Sequence, residues 1–263
     1  MTDVHVDTTA ELTAMYQALD ADLHRAAEFA ELGERFGLLP ESQALPPPTP
    51  AMKYGRPGAR SEEVRATFGG TCGRFALLAI VTAVEAHFGN LLLLLRLGQA
   101  FAAEGPTSAA RAEEVRENVS AECRKNNAHG LLELLVGKPV PSDLATFDAN
   151  LVTLIRARNC LAHRAGSVRA EDLRGSESAL IVQWEHRYLE AKGQPLHGAE
   201  PVTLVGGDEI KLRIESIRKE FPLGMSVLVA PHECQQIAVY MSLFCHGVCE
   251  KVHAAMVAIV NKD

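Results

Sequence analysis

The stretch Arg156-Ala157-Arg158-Asn159-Cys160-Leu161-Ala162-His163-Arg164-Ala165-Gly166 closes an apolar-periodic segment that begins near Ser142. Leu151, Leu154, Ile155, Leu161 and Ala162 recur at helical spacing and define one apolar stripe. Arg158 falls inside that stripe. A guanidinium there has to meet an acid, reach solvent or line a polar groove. Arg156, Asn159 and His163 share a neighbouring face, and Arg158 and His163 stand roughly 140° apart on an ideal helix. A histidine that titrates near neutrality suits general acid–base work. An arginine close by can hold a phosphate and offset charge developing on it, and an asparagine can orient either group. Spacing alone leaves a second reading, in which Arg and His only satisfy the last carbonyls of a helix.

Working outward, Ser142 reads as the cap of this helix and Gly166 as its stop. Upstream, Thr107 to Gly137 splits into a charged helix and a short apolar one, His129 to Val136, with Pro139 and Pro141 at the next turn. Glu113, Glu114, Glu117 and Glu122 interleave with Arg and Lys, which describes a solvated helix face. One of these acids, or Glu85, is a candidate partner for Arg158. Ser61 to Ala103 is a second helical region, with Gly69-Gly70 and Gly73 expected to split or kink it. Its stronger part runs from about Arg74 to Ala103, and the most apolar stretch, Phe75 to Leu95, is interrupted by Thr82, Glu85, His87 and Asn90, which favours a buried core helix over a membrane span. Leu39 to Arg60 carries six prolines and two glycines and reads as a linker. Before it, Thr8 to Phe36 forms an N-terminal helix, with a capping-box spacing between Thr8 and Glu11.

Beyond Gly166 the pattern changes. Ala179 to Trp184, Val202 to Val205 and Glu209 to Leu212 are strand-like, Gly206-Gly207 is a turn, and Met225 to Ala230 is a further strand candidate. Trp184 belongs in the core; stacking on an RNA base is the minority reading. A final helix from about Pro231 to Val260 has Ile237, Met241, Phe244, Val248, Ala255 and Ile259 on one face.

Composition narrows the classes. Hydrophobic residues make up 47% and charged residues 22% of the 263 residues, which fits a soluble globular chain rather than a disordered one. The net charge of −7 argues against a generic nucleic-acid binder, so any polyanion site is a local patch. Arg156, Arg158, Arg164 and Arg169 supply such a patch. The N-terminus lacks the pattern of a signal peptide, and six scattered cysteines point to reduced thiols and a cytoplasmic setting. Cys245, Cys249 and His253 share a helix face that could bind zinc with a fourth ligand from His232 or Cys234, but boundary packing explains them more simply. Cys160, opposite the apolar stripe, is expected to be exposed, and the flanking arginines would lower its pKa.

The run Arg158-Asn159-Cys160-Leu161-Ala162-His163 resembles the Arg-(four to six residues)-His motif of HEPN domains, in which a polar residue commonly follows the arginine. Its position late in the last bundle helix and the upstream Glu85-Ala-His-Phe88 are similar to that family as well. The resemblance spans about Arg60 to Val168. It implies an all-α bundle and a metal-independent endoribonuclease of toxin–antitoxin, phage-defence or RNA-processing type. It also implies a homodimer in which two motifs meet at one cleft. Arg158, Asn159 and His163 take the catalytic positions, and Arg156 and Arg164 are the expected substrate-binding residues. Other members of that family are silent binding or dimerisation modules, which is the alternative reading here.

The expectation is therefore a mainly α protein in three parts: residues 1–60 as N-terminal helix and linker, 61–168 as a HEPN-like bundle, and 169–263 as a strand-containing extension ending in a long helix. No cofactor and no metal are expected. RNA, a second copy of the chain and an antitoxin or regulatory protein are the expected partners, with no membrane.

Overall fold

A computed structural model describes residues 8–38, 61–105, 108–175, 177–196 and 209–260. The protein is mainly helical, with one small antiparallel sheet. The helices are α1 (Thr8–Leu38), α2 (Ser61–Glu104), α3 (Ala109–Lys125), α4 (Ala128–Val136), α5 (Ala145–Arg164) and α6 (Pro231–Val260). Between α5 and α6 lie a 3-10 turn (Ala170–Asp172) and the strands β1 (Ala179–Ala191), β2 (Gln194–Pro195) and β3 (Ile210–Pro222). The expected linker, the strand at Val202 to Val205 and the Gly206-Gly207 turn fall outside the described residues.

α2 is the axis of the bundle. Ala76, Leu77, Ile80, Val81, Val84, Phe88, Leu91 and Leu92 are essentially without solvent exposure. It is long and apolar enough to cross a membrane, yet half of its most apolar window is buried inside the protein. Its glycines do not split it; the helix is continuous through Gly69, Gly70 and Gly73. They serve close approach instead. A methyl group at Gly73 would run into the carbonyl oxygen of Val229, and one at Gly33 of α1 would run into Cys72. The cost of glycine in a helix is offset by what the neighbouring backbone gains in proximity.

α6 packs with α1 and α2 in a single core. Ile237, Met241, Phe244 and Val248 are fully buried, as its apolar face predicts, and Phe147 of α5 stacks on both Tyr240 and Phe244. The C-terminal helix thus shares one core with α1 and α2. Polar ties reinforce the same contacts. Asn150 donates to the Tyr240 hydroxyl at 2.7 Å, and the Tyr16 and Ser242 hydroxyls share a hydrogen bond at 2.8 Å.

The sheet order is β2-β1-β3, all antiparallel, and β1 pairs with β3 without a bulge from Ala179–Pro222 to Ala191–Ile210. Both strands run well past their apolar ends. One end of the ribbon enters the core through Leu180, Val182 and Trp184, whose indole N–H donates to Gln236 at 3.1 Å. Met225 to Ala230 forms no strand; Ser226 alone makes a bridge, to Ser167.

Candidate functional site

α5 starts at Ala145 with Leu144 as its cap residue, later than the expected Ser142, because residues 142–144 form a turn. Its C-terminus is closed by a left-handed Ala165 (φ 51°) and by Gly166 (φ 84°), whose amide donates to the Cys160 carbonyl at 3.1 Å. The whole motif lies within the last turns of the helix, as its spacing requires.

The arginine in the apolar stripe meets an acid. Arg158 donates through Nη2 to Glu85 of α2 and through Nη1 to Asn159 Oδ1 at 3.1 Å. Both partners of the ion pair are mostly enclosed, with side-chain exposures of 19% and 26%. The Arg158 Nε is buried and has no hydrogen-bond partner among the described residues. Cys123 of α3 stands beside Glu85, and burial first, then the Glu122 and Glu85 carboxylates, pushes its thiol up. Sequence spacing carried no sign of Cys123.

His163 is exposed, one and a half turns further on, and among the described residues it makes no hydrogen bond or ion pair. Four residues lie between it and Arg158, a rise of about 7.5 Å along the axis. Arg158 bonds to Asn159, while His163, one turn beyond Asn159 on the same face, bonds to neither.

Arg156 and Arg164 do a different job. Arg156 donates to the Asp172 carbonyl at 2.6 Å and 3.2 Å and to Glu177 at 2.5 Å. Arg164 donates to Glu171 at 2.9 Å and lies 2.7 Å from Asp172. The two guanidinium groups clamp the segment that follows the helix. Both are expected substrate-binding residues, and in the structure acids seven to twenty-one positions later pair with them. The Glu177 carboxyl is held below the usual range chiefly by the Arg156 hydrogen bond.

Cys160 is fully buried, contrary to its expected exposure, and burial pushes its thiol up to about 11. Ala162, expected in the apolar stripe, is exposed. α5 is covered by α2 and α4 on one side and by β1 on the other, so its buried residues span an arc of roughly 220° rather than one stripe. At the far end of α5, His129 of α4 and Asp148 share a hydrogen bond at 2.6 Å, which ties α4 to α5. The zinc alternative loses its geometry: Cys245 and Cys249 are core residues, and Cys249 Sγ lies 3.3 Å from His87 Nε2. Among the described residues no group of three or more His, Cys, Asp or Glu side chains is placed to hold a metal ion.

Compared with known proteins, the chain matches no family model, no curated protein and no solved structure.

Proposed function

We propose that the protein is a metal-independent endoribonuclease of the HEPN type, working as a homodimer in the cytoplasm. The observation that carries this reading is the placement of Arg158: a guanidinium inside the buried arc of α5, held by Glu85 and Asn159, with an exposed histidine one and a half turns away. In the proposed reaction the His163 imidazole takes the proton of a ribose 2′-hydroxyl. The 2′-oxygen forms a bond to the adjacent phosphorus, the bond to the 5′-oxygen breaks, and the histidine of a second copy returns a proton to that leaving oxygen. Arg158 stabilises the charge that builds on the phosphate, and Asn159 orients the guanidinium.

The separation of His163 from Arg158 supports a cleft completed by a second copy. So does the outward face of α2 beside Glu85. Phe75, Ala79, Thr82, Ala86 and Asn90 are exposed there and none is charged, which suits a surface that another helix covers. Incubating the protein with RNA in chelator tests the reading, with His163→Ala as the comparison.

A second reading has its own observation. Glu85 fills the Arg158 anion site from within, as expected of a silent module that binds a nucleotide or a protein such as an antitoxin. That reading gives ligand affinity without turnover.

A further inference from the structure

β1 and β3 leave the core as a two-stranded arm. Every residue from Ile210 to Ser216 is exposed, seven in a row, and among the described residues β3 lies at the edge of the sheet. The arm has two dissimilar faces. Ile210, Leu212 and Ile214 alternate along one, beside Leu189 of β1, which is paired with Leu212. Lys211, Arg213 and Glu215 alternate along the other.

The direction of the free backbone groups follows from one hydrogen bond. The Leu189 carbonyl accepts from the Leu196 amide at 2.8 Å, on the β2 side of β1. Leu189 and Leu212 are therefore a non-hydrogen-bonded pair, and the amide and carbonyl of Leu212 point away from β1. Because the register has no bulge, Ile210, Ile214 and Ser216 do the same. An exposed edge with aliphatic side chains and outward backbone groups is a template for another strand.

We infer that this edge pairs with β3 of a second copy, antiparallel about a two-fold axis at Ile214, giving a six-stranded sheet ordered β2-β1-β3-β3-β1-β2. Charge selects both the occupant and the register. Centring on residue 211 sets Lys211 against itself. Centring on 212 sets Lys211 against Arg213 and Glu209 against Glu215. Centring on 213 or 215 sets Arg213 or Glu215 against itself. Of these registers only the axis at Ile214 opposes Arg213 to Glu215 twice and sets no like charges against each other between residues 210 and 218. The Arg213–Glu215 pairs are non-hydrogen-bonded ones in that sheet, where side chains stand closest. Arg213 pairs across the ribbon with Glu190 of β1 at 2.8 Å and would share that contact with the partner's Glu215, whereas Glu215 makes no ion pair among the described residues. Residue i meets residue j and j meets i, as a closed isologous contact requires. This interface lies on the sheet rather than on α2 and does not rest on the ribonuclease reading.

Mixing complementary charge variants of the full chain tests it. In Glu215→Arg, arginines oppose arginines; in Arg213→Glu, glutamates oppose glutamates. Sedimentation velocity is expected to show each variant alone with a smaller assembly mass than the wild type, and the equimolar mixture with the wild-type mass restored. A cysteine pair fixes the register under mild oxidation, read against the wild-type background on a non-reducing gel: Ile214→Cys links two chains and Leu212→Cys does not. Unchanged mass in both single variants, a mixture that stays small, or linkage at 212 instead of 214 overturns the inference.

Discussion

Arg158 on α5 donates to the carboxylate of Glu85 on α2, 73 positions earlier in the chain, and this pair is what an arginine in an apolar stripe requires. The same contact sets the electrostatics of the proposed site, because an RNA phosphate reaching Arg158 competes with Glu85.

Glu85→Gln is expected to tighten RNA binding about three- to tenfold at low salt, since it adds one unit of positive charge while its amide oxygen still accepts from Arg158. Glu85→Ala removes that bond as well and is expected to lower stability by about 1–3 kcal/mol. Filter binding and urea denaturation check the two effects. Unchanged affinity in Glu85→Gln places the phosphate elsewhere.

Arg156→Ala separates a clamp from a phosphate ligand. It frees the Asp172 carbonyl and leaves Glu177 unpaired, so a stability loss of about 2 kcal/mol is expected. The salt dependence of RNA binding stays as in the wild type, whereas Arg158→Ala flattens its slope by about one.

Acid is expected to destabilise the fold through a buried imidazole. Burial pushes His87 down from 6.5 to about 4. The unfolded chain binds that proton more readily, so this contribution is whole above about pH 6.5 and declines as the pH falls toward 4, by on the order of 3 kcal/mol in full. Glu177, whose pKa is lowered from 4.5, adds a loss below that pH. Urea midpoints of the wild type and His87→Leu, taken at pH 7.5 and 5, check this: the wild type loses more. Equal losses contradict it.

The helices were legible because their ends are chemical. Proline and glycine at Gly37, Pro40, Gly105-Pro106 and Gly137 to Pro141 bracket apolar repeats, and the Arg158 conflict pointed to an acid. What was illegible depended on partners distant in sequence. Gly73 reads as a weak point in a helix until Val229 is placed against it. Arg156 and Arg164 read as a basic patch until Glu171, Asp172 and Glu177 fold back on them. β1 was seen only at its apolar end and β3 only at its exposed first residues, because charged pairs such as Arg213 and Glu190 satisfy each other across the ribbon between. Cys160 was misplaced by assuming a helix buried on one side.

Cys160 offers a simple check of that correction. Thiol titration of the native protein is expected to label Cys123, which is half-buried, and to reach Cys160 only in denaturant. Rapid native labelling at Cys160, read by peptide mass, contradicts the burial.

The most direct test of the central claim is a time course of RNA cleavage by the purified protein in excess EDTA. The account predicts fragments ending in 2′,3′-cyclic phosphate, with the rate falling at least a hundredfold in His163→Ala and in Arg158→Ala. No cleavage by the wild type, or cleavage unchanged in His163→Ala, contradicts it.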